Sequence, residues 1–374
     1  MSGGANGRPR ARVELVWVAE EMRNVGGSEY MTALFTSLLE EAGLHVRLVA
    51  PAGALRAWTG RAERSGAEII FANGGGCQST SLCEAARRVC RERPPAAVQF
   101  TPVGKACGLW CADAFPGVPV IAWEPTGMSP ACNWMPPDLE EILRRLDGLI
   151  VLTESAAGEA HRRFGYQGRL AVVPNTIAAP PAELSPRTGS PPVVTCVSRL
   201  APEKGVDLAI HSFALFQRSN PGAELHLWGH GEDEERLREL AVMLQLERSV
   251  KFRGVFEPFD EIDRVAAGTN IAILSSFFEG MPVALMEMAA RGVPIVASRT
   301  SGAEAVLGAN YPWLSPVGDT AAMARHLEIL ACSNGAWHET HRRLLAEWPA
   351  RFCPHKSVAR LTEFYASVLG PLPC

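Results

Sequence analysis

The stretch Asn270–Pro294 reads NIAILSSFFEGMPVALMEMAARGVP. Its apolar beginning is typical of a buried parallel strand, and Pro282 favours the first turn of a following helix, where its missing N–H costs nothing. Glu279 would therefore lie in the loop that leaves the strand. Glu287 would lie on the helix, five residues after Pro282, or roughly one and a half turns along it. Because open α/β sheets bind ligands outside the carboxyl ends of their strands, these two carboxylates are candidate ligand-binding residues.

The same alternation of strands and helices runs through all 374 residues and predicts an α/β fold with parallel sheets. This length favours two domains over one. Residues 176–192 are rich in Pro, Ala, Ser and Gly without periodicity, which marks the best domain boundary. We predict the following segments: a disordered tail over 1–11, a first domain over 12–176, a linker over 177–192, a second domain over 193–349, and a C-terminal helix over 350–374.

The composition argues against several classes of protein. A formal net charge of -4 gives no general attraction to nucleic acid. No apolar stretch approaches the roughly 20 residues that span a bilayer, and the first dozen residues lack the apolar core of a signal peptide. The ten cysteines include no CxxC pair, which favours reduced thiols over a zinc site. We therefore expect a cytoplasmic protein with no nucleic-acid partner, no integral membrane segment and no bound metal.

Three loops of the second half follow strands and are expected at one edge of the same sheet. The first carries Arg199 and Lys204, a bidentate and a point-like cation suited to phosphate oxygens. The second, Gly229-His230-Gly231, contains small residues that let backbone N–H groups approach a ligand, and Asp233 is expected to cap the next helix. The third carries Glu279.

Each of these elements alone is usually a surface charge, a tight turn or an exposed polar face. Their coincidence at successive strand ends favours a common site. Cations suit a diphosphate, and carboxylates accept hydrogen bonds from sugar or ribose hydroxyls. The three loops therefore predict a pocket for a nucleoside diphosphate that carries a sugar.

These loops also carry a family resemblance. They resemble the signature of the retaining glycosyltransferases of family 4, which have the GT-B fold, over about Val193–Gly308. The spacing of the two glutamates around Glu279-Gly280-Met281-Pro282 is the specific part. The matching motifs are Arg199…Glu203-Lys204-Gly205, Gly229-His230-Gly231, Glu279…Glu287, Val25-Gly26-Gly27-Ser28-Glu29 and Val173-Pro174-Asn175.

The resemblance implies two doubly wound, Rossmann-like domains facing a central cleft. It implies that the N-terminal domain (12–176) binds the acceptor, that the second domain (193–349) binds the nucleotide sugar, and that the C-terminal helix (350–374) crosses back to the first domain. It also implies three candidate catalytic residues: Arg199 and Lys204 would bind the donor's diphosphate, and Glu279 would hold a hydroxyl of the donor sugar. Glu287 would take the ribose diol. The remaining donor-binding positions that it implies are Gly26, Gly27, Gly229, His230, Gly231, Gly280, Met281, Pro282 and Val283.

A metal-independent retaining mechanism is expected from these parts. The sequence has no D-x-D motif to hold a divalent cation on the diphosphate, so Arg199 and Lys204 are expected to stabilise the leaving group. Glu279 is interpreted as a positioning residue and not as a nucleophile. No cofactor is expected, and UDP is the expected nucleotide of the donor.

The first half gives less information about the acceptor. Many family members carry a histidine after the strand equivalent to Val118–Trp123, whereas this chain continues with Glu124 and has no histidine nearby. The acceptor-side candidates are Trp123, Glu124, Asn73 and Gly74. We interpret Glu124 as a surface loop residue in preference to a polar contact, and tryptophans are more often core than stacking platforms. We expect a soluble small-molecule or glycan acceptor, with peripheral membrane contact not favoured.

Two further classes share this architecture. A nucleotide-sugar epimerase would need acid/base residues around the sugar, and a non-catalytic subunit would only bind a partner. The set Arg199, Lys204, Glu279 and Glu287 favours a transferase over both. A dinucleotide oxidoreductase is weaker still, because no G-x-G-x-x-G follows the first strand.

Overall fold

The structure is a computed structural model and describes residues 13–23, 25–72, 78–102, 114–128, 138–178, 188, 191–255 and 261–372. The chain divides into two compact units. The first comprises Met1–Asn24, Ser28–Val173 and His355–Cys374, and the second comprises Val25–Gly27 and Pro174–Pro354. The main division thus lies at Val173, three residues before the domain end proposed from composition. The proposed tail and most of the proposed linker lie outside the described residues.

A parallel sheet of seven strands forms the first unit, in the order β3-β2-β1-β4-β5-β6-β7. Five of the seven strands are buried throughout or at all but their first residue, and these are apolar runs that are recognisable as strands in the sequence. The elements are β1 Glu14–Ala19, α1 Gly27–Glu41, β2 His45–Ala50, α2 Arg56–Ser65, β3 Glu68–Phe71, α3 Gln78–Glu92, β4 Ala97–Thr101, β5 Val120–Glu124, α4 Leu139–Arg144, β6 Gly148–Val151, α5 Glu154–Arg162 and β7 Arg169–Val172.

The second unit contains a parallel sheet of six strands in the order β10-β9-β8-β11-β12-β13. A short 3₁₀ turn, Pro202–Lys204, follows β8 (Val193–Val197), which is the first strand of this unit along the chain. The elements are β8 Val193–Val197, α6 Val206–Gln217, β9 Glu224–Trp228, α7 Glu234–Met243, β10 Val250–Gly254, α8 Ile262–Ala267, β11 Ile271–Leu274, α9 Val283–Ala290, β12 Ile295–Ser298, α10 Ser301–Leu307, β13 Leu314–Ser315, α11 Thr320–Cys332 and α12 Asn334–Arg351.

The last helix, α13 (Pro354–Leu369), packs on the first sheet. The Tyr365 hydroxyl donates to Gln99 Oε1 on β4 at 2.7 Å. Phe364 lies over Gly148 so closely that a Cβ there would sit 2.6 Å from its ring. Direct packing contacts therefore support the expected return of the C-terminal helix to the first domain.

Aromatic side chains fill the core of the first unit. Trp17 and Trp123 stack with their ring centroids 5.2 Å apart, and Phe35 meets Trp123 edge-on at 4.6 Å. Trp17 Nε1 donates to Thr101 Oγ1 at 3.0 Å. Both tryptophans are fully buried, so they stabilise the core and offer no face to an acceptor.

Among the described helices, none combines the length and apolarity needed to cross a bilayer. The expected cytoplasmic location stays a prediction.

Candidate functional site

The strand order of the second sheet brings three loops together. β8 pairs with β9 on one side and with β11 on the other, and all three run parallel. Their carboxyl ends therefore lie side by side, next to the point where the strand order reverses. This is where open α/β sheets bind their ligands, and the loops that carry Lys204, His230 and Glu279 meet here as predicted.

A partly buried ion pair lies at the centre of this edge, with the Glu279 side chain 7% and the Lys204 side chain 19% exposed. Lys204 Nζ donates to Glu279 Oε1 at 2.9 Å, and Ser276 Oγ donates to the same oxygen at 2.7 Å. Glu279 is only 6% exposed. Among the described residues, Glu279 Oε2 has no hydrogen-bond partner. The carboxylate is thus fixed through one oxygen and keeps acceptor capacity on the other.

Arg199 makes a different contact from the one made by Lys204. Its guanidinium pairs with Glu203 within the same loop, at 2.5 Å, and its side chain is 51% exposed. An exposed pair of this kind contributes little stability, so the guanidinium is available to exchange Glu203 for another anion. The two cations therefore belong to one loop but occupy different electrostatic environments.

The loop after β8 is joined to the loop after β11 through the backbone. The Phe277 N–H donates to the Glu203 carbonyl at 3.0 Å. Gly205, at φ +54°, lies where a Cβ would sit 2.5 Å from the Ser275 carbonyl oxygen. This close approach holds Lys204 beside Glu279.

The two glycines of the second loop have a packing role. A Cβ on Gly229 would lie 1.8 Å from the Ser198 carbonyl oxygen, and one on Gly231 would lie 2.2 Å from that of Leu200. The Gly229 N–H donates to the Gly254 carbonyl at 2.8 Å, so this amide serves the sheet and not a ligand. His230 stands out into solvent with a side chain that is 75% exposed.

Asp233 lies at the predicted N-cap position, but the prediction that its side chain caps the helix is wrong. Asp233 occupies the cap position of α7, but its side chain makes no capping bond. Its carboxylate accepts instead from Arg236 Nε and NH2 at 2.8 and 2.6 Å. This pairing lowers the pKa of Asp233.

The backbone after Glu279 is held from two sides. A Cβ on Gly302, in α10, would lie 2.6 Å from the Glu279 carbonyl oxygen and 2.7 Å from that of Gly280. Asn175 Nδ2 donates to the Met281 carbonyl at 2.9 Å. Pro282 takes the cap position of α9, one residue before the predicted first turn.

Gly27 belongs to the second unit together with Gly26 and lies against the start of α9. A Cβ on Gly27 would lie 3.1 Å from Val283 Cγ2.

The sequence analysis identified Asn175 only as part of a family motif, and it assigned no role to Ser276 or Gly302. Signals for both were present, because Ser276 lies two residues past the end of buried β11 and Gly302 lies two residues past Thr300, which caps α10.

We expect Asn175→Ala to lower the free energy of unfolding by about 1–3 kcal/mol, because the buried Met281 carbonyl would lose its partner. Urea denaturation measures this. Asn220→Ala is the matched control, since Asn220 Nδ2 also donates to a backbone carbonyl, that of Phe216, at 3.3 Å from a less buried position. Equal losses in the two variants would contradict the role given to Asn175.

Glu287 belongs to a separate network. It lies on α9, is buried, and pairs with the guanidinium of Arg291, one turn further along the chain. Arg291 Nε in turn donates to Asp263 Oδ1 at 2.6 Å. The two glutamates of the motif therefore have different partners, a lysine and a serine for one and an arginine for the other.

The acceptor-side expectations fall on the first unit. Glu124 is not a surface residue: it is 1% exposed, and its Oε1 accepts from the Thr126 N–H at 2.9 Å and from the Thr126 hydroxyl. It ends β5, so its side chain is covered by the neighbouring strands and loops. Trp123 is part of the core. Asn73 and Gly74 lie outside the described residues, as do the tryptophans at 110 and 134.

Comparisons with known proteins agree with this geometry. Residues 183–344 match the family model described as glycosyl transferases group 1. The chain is 29% identical over 206 residues to WcaL of Escherichia coli (strain K12), provisionally named a colanic acid biosynthesis glycosyltransferase, with 52% of this chain and 50% of that protein covered. It is 35% identical over 138 residues to the amylovoran biosynthesis glycosyltransferase AmsK of Erwinia amylovora, covering 35% of this chain and 34% of that protein. The chain thus spans half or less of the length of these curated relatives.

Solved structures agree on the fold. S. aureus TarM, as a G117R mutant in complex with fondaparinux, alpha-GlcNAc-glycerol and UDP, superposes with a TM-score of 0.80 at 10% identity, covering 94% of this chain and 99% of TarM. The predicted class, GT-B with two Rossmann-like domains, is confirmed.

Proposed function

We propose that this chain transfers a sugar from a nucleoside-diphosphate sugar to a hydroxyl of a small-molecule or glycan acceptor. The match of residues 183–344 to the model of the glycosyl transferases group 1 supports this proposal. The observation that carries the proposal is the Lys204–Glu279–Ser276 network at the carboxyl edge of the second sheet. It combines a cation with a fixed hydroxyl acceptor at a topological switch point.

Lys204 is the proposed stabiliser of the departing diphosphate. Its ammonium has three N–H donors, and the bond to Glu279 uses one of them. Breaking the anomeric C–O bond leaves the electron pair on the diphosphate, so a preformed cation contributes most as that charge develops. Arg199 supplies a second, more mobile cation from the same loop. Together they support a reaction that needs no divalent metal.

Glu279 is the proposed clamp for the donor sugar. Its Oε1 already accepts from Lys204 and Ser276, which leaves Oε2 to accept from a sugar hydroxyl. A carboxylate held in this way orients the ring and is not required as a nucleophile. We propose retention of configuration, with the acceptor hydroxyl attacking the anomeric carbon on the face from which the diphosphate departs.

The nucleotide part of the donor is assigned to the remaining motif residues. Glu287 would accept from the ribose diol, and the backbone of Gly280, Met281 and Val283 would line the sugar. UDP is the proposed nucleotide, and TarM, which shares the fold, was solved with UDP. The acceptor is proposed to be soluble.

A thermal-shift panel of UDP, GDP, ADP and TDP sugars tests the proposal. We expect one donor class to raise the apparent stability, by about 2.7 kcal/mol at a concentration one hundred times its dissociation constant. The same donor should release its nucleoside diphosphate slowly without an acceptor, and EDTA should leave that rate unchanged.

Other results would overturn the assignment. Interconversion of two nucleotide sugars without release of nucleoside diphosphate would indicate an epimerase. Binding of no nucleotide sugar would indicate a non-catalytic subunit that binds a partner.

A further inference from the structure

The end of α9 carries a buried arginine that the proposed reaction does not use. Arg291 is only 5% exposed. Its NH1 donates to two atoms of Glu287, the Oε2 of the side chain and, at 3.0 Å, the backbone carbonyl. Its Nε donates to Asp263 Oδ1 at 2.6 Å. Arg291 therefore contacts two carboxylates, that of Glu287 on α9 and that of Asp263 on α8.

The contacts fix the geometry of Glu287. Arg291 NH1 donates both to the Glu287 carboxylate and to the Glu287 backbone carbonyl. The Glu287 side chain therefore cannot rotate to another position without losing a buried, charge-assisted hydrogen bond. Asp263 holds the guanidinium from the opposite side and prevents it from turning away. Charge-assisted bonds of this kind are short and directional.

The energetics argue that the arrangement is there for more than stability. Arg291 and Glu287 are buried and Asp263 is partly buried. Taking charged groups out of water is costly, and well-packed apolar residues often replace such networks without loss of stability. Arg291, Glu287 and Asp263 together carry a net charge of -1. A site that must present a carboxylate to hydroxyl groups needs that carboxylate ionised and oriented before the ligand arrives.

We propose that Arg291 and Asp263 are positioning residues for recognition of the ribose: Asp263 aligns Arg291, and Arg291 holds Glu287 in the orientation that accepts from the ribose diol. The inference rests on the proposed function, because it takes Glu287 as the ribose-binding carboxylate. It adds that selectivity for a ribonucleotide is set by a network reaching from α9 to α8.

The test compares a ribonucleotide with its deoxy form. Isothermal titration calorimetry would measure the dissociation constants of UDP and 2′-deoxy-UDP, with GDP and 2′-deoxy-GDP as the second pair. A lost hydrogen bond to a charged group weakens binding by about tenfold or more, so the wild type should prefer the ribonucleotide by that factor. Glu287→Gln and Arg291→Met should each reduce the preference to about twofold or less.

Two conservative variants keep the test decisive. Arg291→Lys retains a charge that can reach Glu287 and should recover part of the preference. Asp263→Asn leaves the Arg291–Glu287 pair intact and should give an intermediate value even if Arg291→Met fails to fold. Arg343→Met is the matched control, because Arg343 pairs with Glu347 at 2.8 Å four residues along α12, and it should keep the wild-type preference.

The outcomes separate the two levels of inference. If the wild type binds none of the four nucleotides and no sugar of the thermal-shift panel, the proposed function fails and the inference with it. If the panel selects an ADP sugar, ADP and 2′-deoxy-ADP replace the UDP pair. If it prefers the ribonucleotide but the Arg291 and Asp263 variants weaken the ribo and deoxy forms equally, the proposed function stands and Arg291 is merely structural. A selective loss of the preference, with partial recovery in Arg291→Lys, supports the positioning network.

Discussion

Lys204→Ala is expected to lower the rate of nucleoside diphosphate release from the donor by about 100-fold or more, the usual effect of removing one group that stabilises charge in the transition state. Two losses combine. The departing diphosphate loses a half-buried cation, and Glu279 keeps only Ser276 as a fixed partner. Steady-state kinetics with the donor found in the panel would measure the turnover number.

Controls for this variant separate chemistry from folding. Lys251→Ala removes a lysine of the same unit whose Nζ bonds the Arg248 carbonyl at 2.6 Å on β10, and it should leave turnover unchanged. Lys204→Arg keeps the charge and should retain more activity than Lys204→Ala. A Lys204→Ala enzyme that turns over within threefold of the wild type would refute the role given to this residue.

Gly229→Ala is expected to destabilise the second unit by about 4 kcal/mol or more, or to prevent its folding. The added Cβ would lie 1.8 Å from the Ser198 carbonyl oxygen, and φ at this position is +141°. Because the obstacle is backbone and not a flexible side chain, the loop after β8 must move, and with it Lys204. Urea unfolding followed by far-UV circular dichroism would measure the loss.

The matched control for this glycine is Gly318→Ala. Gly318 also has a positive φ, +85°, but no atom lies within 4 Å of its added Cβ. Gly318→Ala should therefore cost only the backbone penalty of about 1–2 kcal/mol. If the two variants lose the same stability, the contact with Ser198 is not what fixes a glycine at 229.

The strands were the predictable part of the fold. β8 and β11 begin and end where their apolar runs do, because a buried parallel strand must be apolar on both faces. Three helices escaped prediction: α2, α10 and α12. α12 contains Pro349 and still continues to Arg351, because Trp348 is buried and the Phe352 N–H donates to the Trp348 carbonyl at 3.0 Å. Tertiary packing outweighed the local cost of proline.

The candidate site was predictable in its residues but not in its pairings. Strand ends and loop composition indicated which cations and carboxylates share an edge. They could not indicate that Lys204 pairs with Glu279 while Arg199 pairs with Glu203, because side-chain partners depend on the depth of each loop. The same limit explains Glu124, whose burial depends on strands far away in the sequence and not on its own neighbours.

The return of α13 to the first unit affects the order in which the two units become complete. The body of the second unit is one continuous segment, Pro174–Pro354, whereas the first unit is assembled from segments on both sides of it. During synthesis, every residue of that segment emerges before Tyr365, which closes the first sheet through Gln99. The unit that begins first in the sequence is therefore the last to be completed. Until α13 has been synthesised, the surface of the first sheet on which it packs stays uncovered, while the second unit can already fold.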